Sequence, residues 1–66
     1  MRVRVNGEVR ETASDATVAS LLASLGIDPR KVAVERNREI VPKSLYARTA
    51  LGADDALEIV QFVGGG

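Results

Sequence analysis

The sequence predicts one α+β domain, with a single helix packed across a mixed β-sheet. Three observations carry this. Met1, Val3 and Val5 alternate with Arg2 and Arg4, the period of a half-buried strand. Val18, Leu21, Leu22 and Leu25 fall at i, i+3, i+4 and i+7, which is one apolar helix face. The run "ALEIVQFV" over 56–63 is apolar on both faces, as a central strand tends to be.

The elements follow in order. "MRVRVNGEVRET" reads as a hairpin whose second strand runs to about Thr12, because Asn-Gly suits the type I′ turn, which needs φ > 0 at both central positions. Thr17 is the best placed N-cap for the helix, ahead of Ser14 and Asp15, and Gly26 is placed to end it. Asp28-Pro29 marks a turn. "KVAVERNREIVP" predicts a second strand pair, turning at Asn37-Arg38 and stopping at Pro42, which has no N–H for a ladder. "KSLYART" predicts one helical turn that packs Leu45 and also Tyr46, with Tyr46 expected to pack rather than to take part in chemistry. Gly52-Ala53-Asp54-Asp55 reads as a loop before the last strand, where Leu57 and Ile59 share one face and Glu58, Val60 and Phe62 the other.

Condensed, the order is ββαββ. A central last strand beside the first, with one helix across the sheet, is the ubiquitin-like β-grasp arrangement. Residues 1–63 are expected to form this domain and 64–66 a flexible glycine tail.

Composition narrows the function. At 66 residues the chain holds one domain at most, which buries only about 60% of its unfolded surface. Lacking cysteine, it has no disulfide to compensate, which fits a reducing cytoplasm. The N-terminus has no signal-peptide apolar core, and no apolar run approaches the ~20 residues of a membrane helix. Without His or Cys, the usual zinc sites and the Ser–His and Cys–His nucleophilic pairs cannot be built. A core this small can scarcely flank a cleft of ~300 Å³. The net charge of zero argues against generic nucleic-acid binding. The charge is nonetheless uneven: Arg30 to Arg48 is a basic segment, whereas 50–66 holds Asp54, Asp55 and Glu58 and no base, so a docking face with a sign preference is open.

The tail has a chemical use. Gly64-Gly65-Gly66 lacks Cβ atoms, so its backbone can thread a channel that would reject any side chain. Three extended residues reach ~10–11 Å, enough to carry a carboxylate into a partner's active site. That group titrates near pKa ~3.5 and resists nucleophiles until activated. ATP can convert it to an acyl-adenylate with AMP as leaving group, but the phosphates need cations and a metal that a partner must supply.

These residues resemble the sulfur carrier family of thiamine biosynthesis, over essentially the full length. The most specific parts are "VAVERNREIVPKSLYARTAL" and "ADDALEIVQFVGGG" with its terminal Gly-Gly. The family more often has Asp-Gly-Asp where this chain has Ala53-Asp54-Asp55, so the loop can differ in shape. The resemblance implies a non-enzymatic carrier of β-grasp fold. An E1-like adenylyltransferase of the ThiF type would adenylate the Gly66 carboxylate with Mg-ATP, so ATP and magnesium belong to that partner and this chain binds no cofactor. Sulfur from a donor such as a cysteine desulfurase would replace AMP as a thiocarboxylate on Gly66. A thiazole synthase of the ThiG type would then take that sulfur.

Val60, Phe62 and Val63 are the candidate docking patch, since a tail that must be delivered needs a grip close to it. The Arg30–Arg48 segment is a candidate further contact. Two other uses of an activated tail stay open: sulfur carriage for molybdopterin or tRNA thiolation, and conjugation of Gly66 to a lysine amine as a protein modifier.

Overall fold

The structure, a computed structural model, describes residues 1–62. Strands β1 (Arg2–Val5) and β2 (Glu8–Glu11) form the first hairpin, with Arg2 opposite Glu11 and Val5 opposite Glu8. The turn takes the conformation its residues favour: Asn6 has φ 50° and Gly7 φ 85°, both left-handed. The strand stops one residue before the expected Thr12, whose N–H still donates to Met1 C=O at 2.7 Å. All of β2 is exposed, so it is a polar sheet edge.

Helix α1 (Val18–Ser24) is fixed at both ends by local chemistry. Thr17 and Ser20 form a reciprocal capping box, Ser20 N–H donating to Thr17 Oγ1 at 3.1 Å and Thr17 N–H to Ser20 Oγ at 2.9 Å. At the other end Gly26 adopts φ 70°. Its N–H donates to Ala23 C=O at 3.1 Å and that of Ile27 to Leu22 C=O at 3.0 Å, the paired bonds of a Schellman motif. Val18, Leu21 and Leu22 are buried; Leu25, at the C-cap, is half-buried against the same core.

After α1, a 3₁₀ turn (Pro29–Lys31) is capped by Asp28, whose carboxylate accepts from Arg30 N–H at 2.9 Å and from the Arg30 guanidinium. That side-chain bond, then the backbone one, holds the exposed Asp28 carboxyl down at about 2. Strands β3 (Val32–Arg36) and β4 (Glu39–Val41) form the second hairpin. Its turn is also left-handed twice, with Asn37 at φ 51° and Arg38 at φ 70°. Pro42 follows β4, as expected, and leads into a 3₁₀ turn (Lys43–Leu45). The expected packing there is shared out differently. Leu45 is 42% exposed, while Tyr46 is buried and donates its hydroxyl to Val32 C=O at 3.1 Å. In a single turn only one of two adjacent residues can face the core.

Strand β5 (Ala56–Gln61) is central, parallel to β1 and antiparallel to β3, in the order β2-β1-β5-β3-β4. The sheet is mixed and crossed by α1, which is the β-grasp arrangement. It has five strands, one more than the condensed ββαββ order allows, because 32–41 supplies a complete hairpin ahead of β5. Val3, Val5, Val32, Val34, Leu57 and Ile59 point from the sheet into the core, meeting Val18, Leu21 and Leu22 of α1. No helix among the described residues is long and apolar enough to cross a membrane.

Candidate functional site

The site is built on the C-terminal half of β5. Closure of the sheet on both sides of this strand gives it a fixed direction, and its ladder to β3 continues to Phe62, whose N–H donates to Lys31 C=O at 2.9 Å. Strand parity sends Leu57 and Ile59 inward and Glu58, Val60 and Phe62 outward. Val60 is 60% and Phe62 51% exposed, so both lie on the open face as expected. Val63, Gly64, Gly65 and Gly66 lie outside the described residues.

Two turn asparagines hold β5 in place. Ile59 N–H donates to Asn6 Oδ1 and Asn6 Nδ2 donates to Ile59 C=O. At the start of the strand, Ala56 N–H donates to Asn37 Oδ1 at 3.0 Å. Asn37 Nδ2 in turn donates to Asp55 Oδ1 at 3.0 Å. Asp55 is the buried polar residue of the described chain, and its carboxylate also accepts from Gly52 N–H at 2.6 Å and from Arg36 Nε at 2.7 Å. Burial pulls its pKa upward, but the bonds from Gly52, Asn37 and Arg36, with the Arg36 charge, outweigh it and hold the carboxyl below the usual range. In the same loop Asp54 has φ 66°. The loop therefore keeps a left-handed residue where the resemblance places glycine.

The rest of the face has chemistry that the sequence did not single out. Lys43 Nζ sits 4.5 Å from the centroid of the Phe62 ring, a cation–π contact. Ile40 is 77% exposed and stands opposite Glu35, which stands opposite Glu58. Strand parity counted back from buried Val41 would have found Ile40. The basic segment is partly taken up by the fold, since Arg30 pairs with Asp28 and Arg36 with Asp55. Burial raises the pKa of the Tyr46 phenol, which keeps it neutral and structural.

A groove of about 480 Å³, larger than the size of the core led us to expect, lies between β2 and the end of α1, lined by Val5, Asn6, Glu8, Arg10, Leu25 and Ile27 among others. Its two charged residues face solvent on the polar edge strand, and nothing in it resembles a nucleophile with a base. Among the described residues no three His, Cys, Asp or Glu side chains come together as a metal site.

Comparison with known proteins fits this geometry. The profile of the ThiS family matches residues 3–66. The chain belongs to the ThiS family. It is 42% identical over 65 residues to the sulfur carrier protein ThiS of Bacillus subtilis, covering 97% of this chain and 98% of that one. The thiamine biosynthesis protein ThiS of Geobacter metallireducens has a similar solved structure, with a TM-score of 0.85 at 32% identity and full coverage of both chains. A thiazole synthase of Paramagnetospirillum magneticum is 58% identical over all 66 residues, and this ThiS-family chain spans only 20% of that protein's length.

Proposed function

We propose that this chain carries sulfur to thiazole formation as a thiocarboxylate on Gly66. The observation that carries the reading is directional. Just past the central strand β5, Phe62 is held at the sheet by its N–H bond to Lys31 C=O, with its ring and Val60 exposed, only four residues before Gly66. The near-complete coverage of the Bacillus subtilis carrier supports the same assignment.

The cycle follows from the chemistry of a carboxylate. Its oxygen attacks the α-phosphorus of ATP, pyrophosphate leaves, and the acyl-adenylate remains. The terminal sulfur of a donor persulfide, such as that of a cysteine desulfurase, then displaces AMP from the Gly66 carbonyl as an acyl disulfide, and a thiol attacks the donor's own sulfur, forming a disulfide with it and releasing the thiocarboxylate. The resulting thiocarboxylate places charge on a soft sulfur and attacks carbon electrophiles. It also keeps sulfide covalently bound, so delivery is governed by protein recognition. ATP, magnesium and the catalytic groups belong to a ThiF-type adenylating partner and a ThiG-type thiazole synthase, with the exchange taking place in the cytoplasm. Gly64 and Gly65 form the side-chain-free approach, and Val60, Phe62 and Val63 the grip. The occurrence of a similar segment within a thiazole synthase favours thiazole over molybdopterin or tRNA as the destination.

Intact-mass measurement tests this. The chain is incubated with ATP, the adenylating enzyme and a sulfur donor. A shift equal to one oxygen replaced by sulfur, lost again on adding thiazole synthase and its other substrates, is expected. A ladder of larger conjugates, or no shift, overturns the proposal.

A further inference from the structure

The first hairpin fixes which backbone groups of β2 are left open. Thr12 N–H donates to Met1 C=O, and the Met1 ammonium donates to Thr12 C=O. Bonded and non-bonded pairs alternate from there. Arg10 and Glu8 bond across to Val3 and Val5, whereas Val9, opposite Arg4, does not bond to β1. The N–H and C=O of Val9 therefore point away from β1, at the middle of a free sheet edge. The opposite edge offers less. By the same alternation, counted from its two-residue turn, Ile40 is the residue of β4 that presents both groups outward. Pro42, which has no N–H, follows directly.

The side chains of the β2 edge complement themselves. In an antiparallel pairing with Val9 against Val9 of a second copy, Glu8 lies opposite Arg10 of that copy and Arg10 opposite its Glu8. The two Val9 residues then exchange both backbone bonds. The flanking charges form non-hydrogen-bonded pairs, whose side chains come closer than those of bonded pairs, and opposite charges so placed stabilise a sheet. The neighbouring registers set Arg10 against Arg10 or Glu8 against Glu8, like charges that disfavour them. Within one chain Glu8 and Arg10 meet at 3.7 Å with both side chains exposed, so little is lost when they change partner. Val9, 52% exposed, supplies an apolar contact at the centre.

We infer that β2 pairs with β2 of a second copy of this chain about a two-fold axis at Val9, joining two five-stranded sheets into one. The helix leaves room for it. Glu8 and Arg10 lie on the face that opens into the groove beside Leu25 and Ile27, so α1 stands back from the paired charges. Strand β5 lies two strand spacings inside the edge, about 10 Å away. Phe62 of each copy therefore stays outside the contact, and the two β5 strands run in opposite directions. Pairing through so short an edge buries less than the ~1,200 Å² of a stable interface, which makes the dimer weak and concentration-dependent. The pairing is independent of the carrier reading.

Sedimentation equilibrium of the full chain tests it. Between about 0.01 and 1 mM the parent's mass should rise from one chain towards two, and exchange of the Val9 amide should slow over the same range. Glu8→Arg and Arg10→Glu each set like charges across the axis, so each alone should weaken association at least about tenfold. An equimolar mixture of these two variants restores both opposite-charge pairs and should dimerise as the parent does. Val9→Pro removes the central donor, whose N–H has no partner within the chain, and should also stay monomeric. Both charged positions are exposed, and melting temperatures at low concentration confirm that each variant folds. A parent that stays monomeric at about 1 mM overturns the inference. So does a dimer that the single variants leave intact, which would place the contact on another surface, or a mixture that fails to associate.

Discussion

Asn6 completes the sheet where β1 stops. Ile59 N–H donates to Asn6 Oδ1 at 2.7 Å, and Asn6 Nδ2 donates to Ile59 C=O at 3.1 Å. A side-chain amide thus replaces a backbone peptide, satisfying both polar groups of β5 on the side that β1 has left. The same residue is needed at φ 50° to turn the hairpin.

Asn6→Gly separates these two roles, since glycine keeps the left-handed turn and removes the amide. Loss of both bonds should cost about 1–3 kcal/mol. Chemical denaturation should show it, with hydrogen exchange at the Ile59 amide accelerating more than at Leu22. An unchanged midpoint would mean that water replaces the amide fully.

The second hairpin invites the opposite change. Arg38 holds φ 70° at the position that Gly7 fills in the first hairpin, where a non-glycine residue costs roughly 1–2 kcal/mol. Arg38→Gly should stabilise the domain by about 1 kcal/mol, raising the melting temperature by about 4–8 °C. The extra freedom of glycine in the unfolded chain subtracts part of this gain.

Acid should weaken the fold through Asp55. Its folded pKa lies below the unfolded value, so its contribution is present above the unfolded pKa near 3.9 and lost as pH falls through the folded one. Asp55→Asn should cost about 1–3 kcal/mol at neutral pH and flatten the stability profile below about pH 4. Denaturation midpoints across that range give the answer. A slope equal to the parent's would exclude Asp55 as the titrating group.

Phe62→Ala should separate docking from folding. With the ring half exposed, its removal should cost about 1 kcal/mol or less of stability. Affinity for the adenylating enzyme should fall by at least tenfold. If the melting temperature drops sharply while affinity holds, Phe62 is a core residue.

Deleting Gly66 should abolish thiocarboxylate formation and leave the melting temperature unchanged, because chain ends contribute little to stability. Mass spectrometry and thermal unfolding on one sample decide it, and sulfur loading of the shortened chain would place the cargo elsewhere.

The chain's local chemistry was legible in the sequence itself. Alternation put Val60 and Phe62 outward and Leu57 and Ile59 inward, Thr17 and Gly26 bounded the helix, and Asn6-Gly7 and Asn37-Arg38 marked both turns. Each is a short-range preference that needs only neighbouring residues. Other features required the closed sheet: the two bonds from Asn6 to a strand 53 residues away, Asp55 drawing Gly52, Asn37 and Arg36 together, Tyr46 rather than Leu45 turning inward, and Glu58 meeting Glu35. Periodicity tells which face a residue occupies, but not which residue lies across from it. Cross-strand partners are set by the register at which distant segments close, and that is settled only when the core packs.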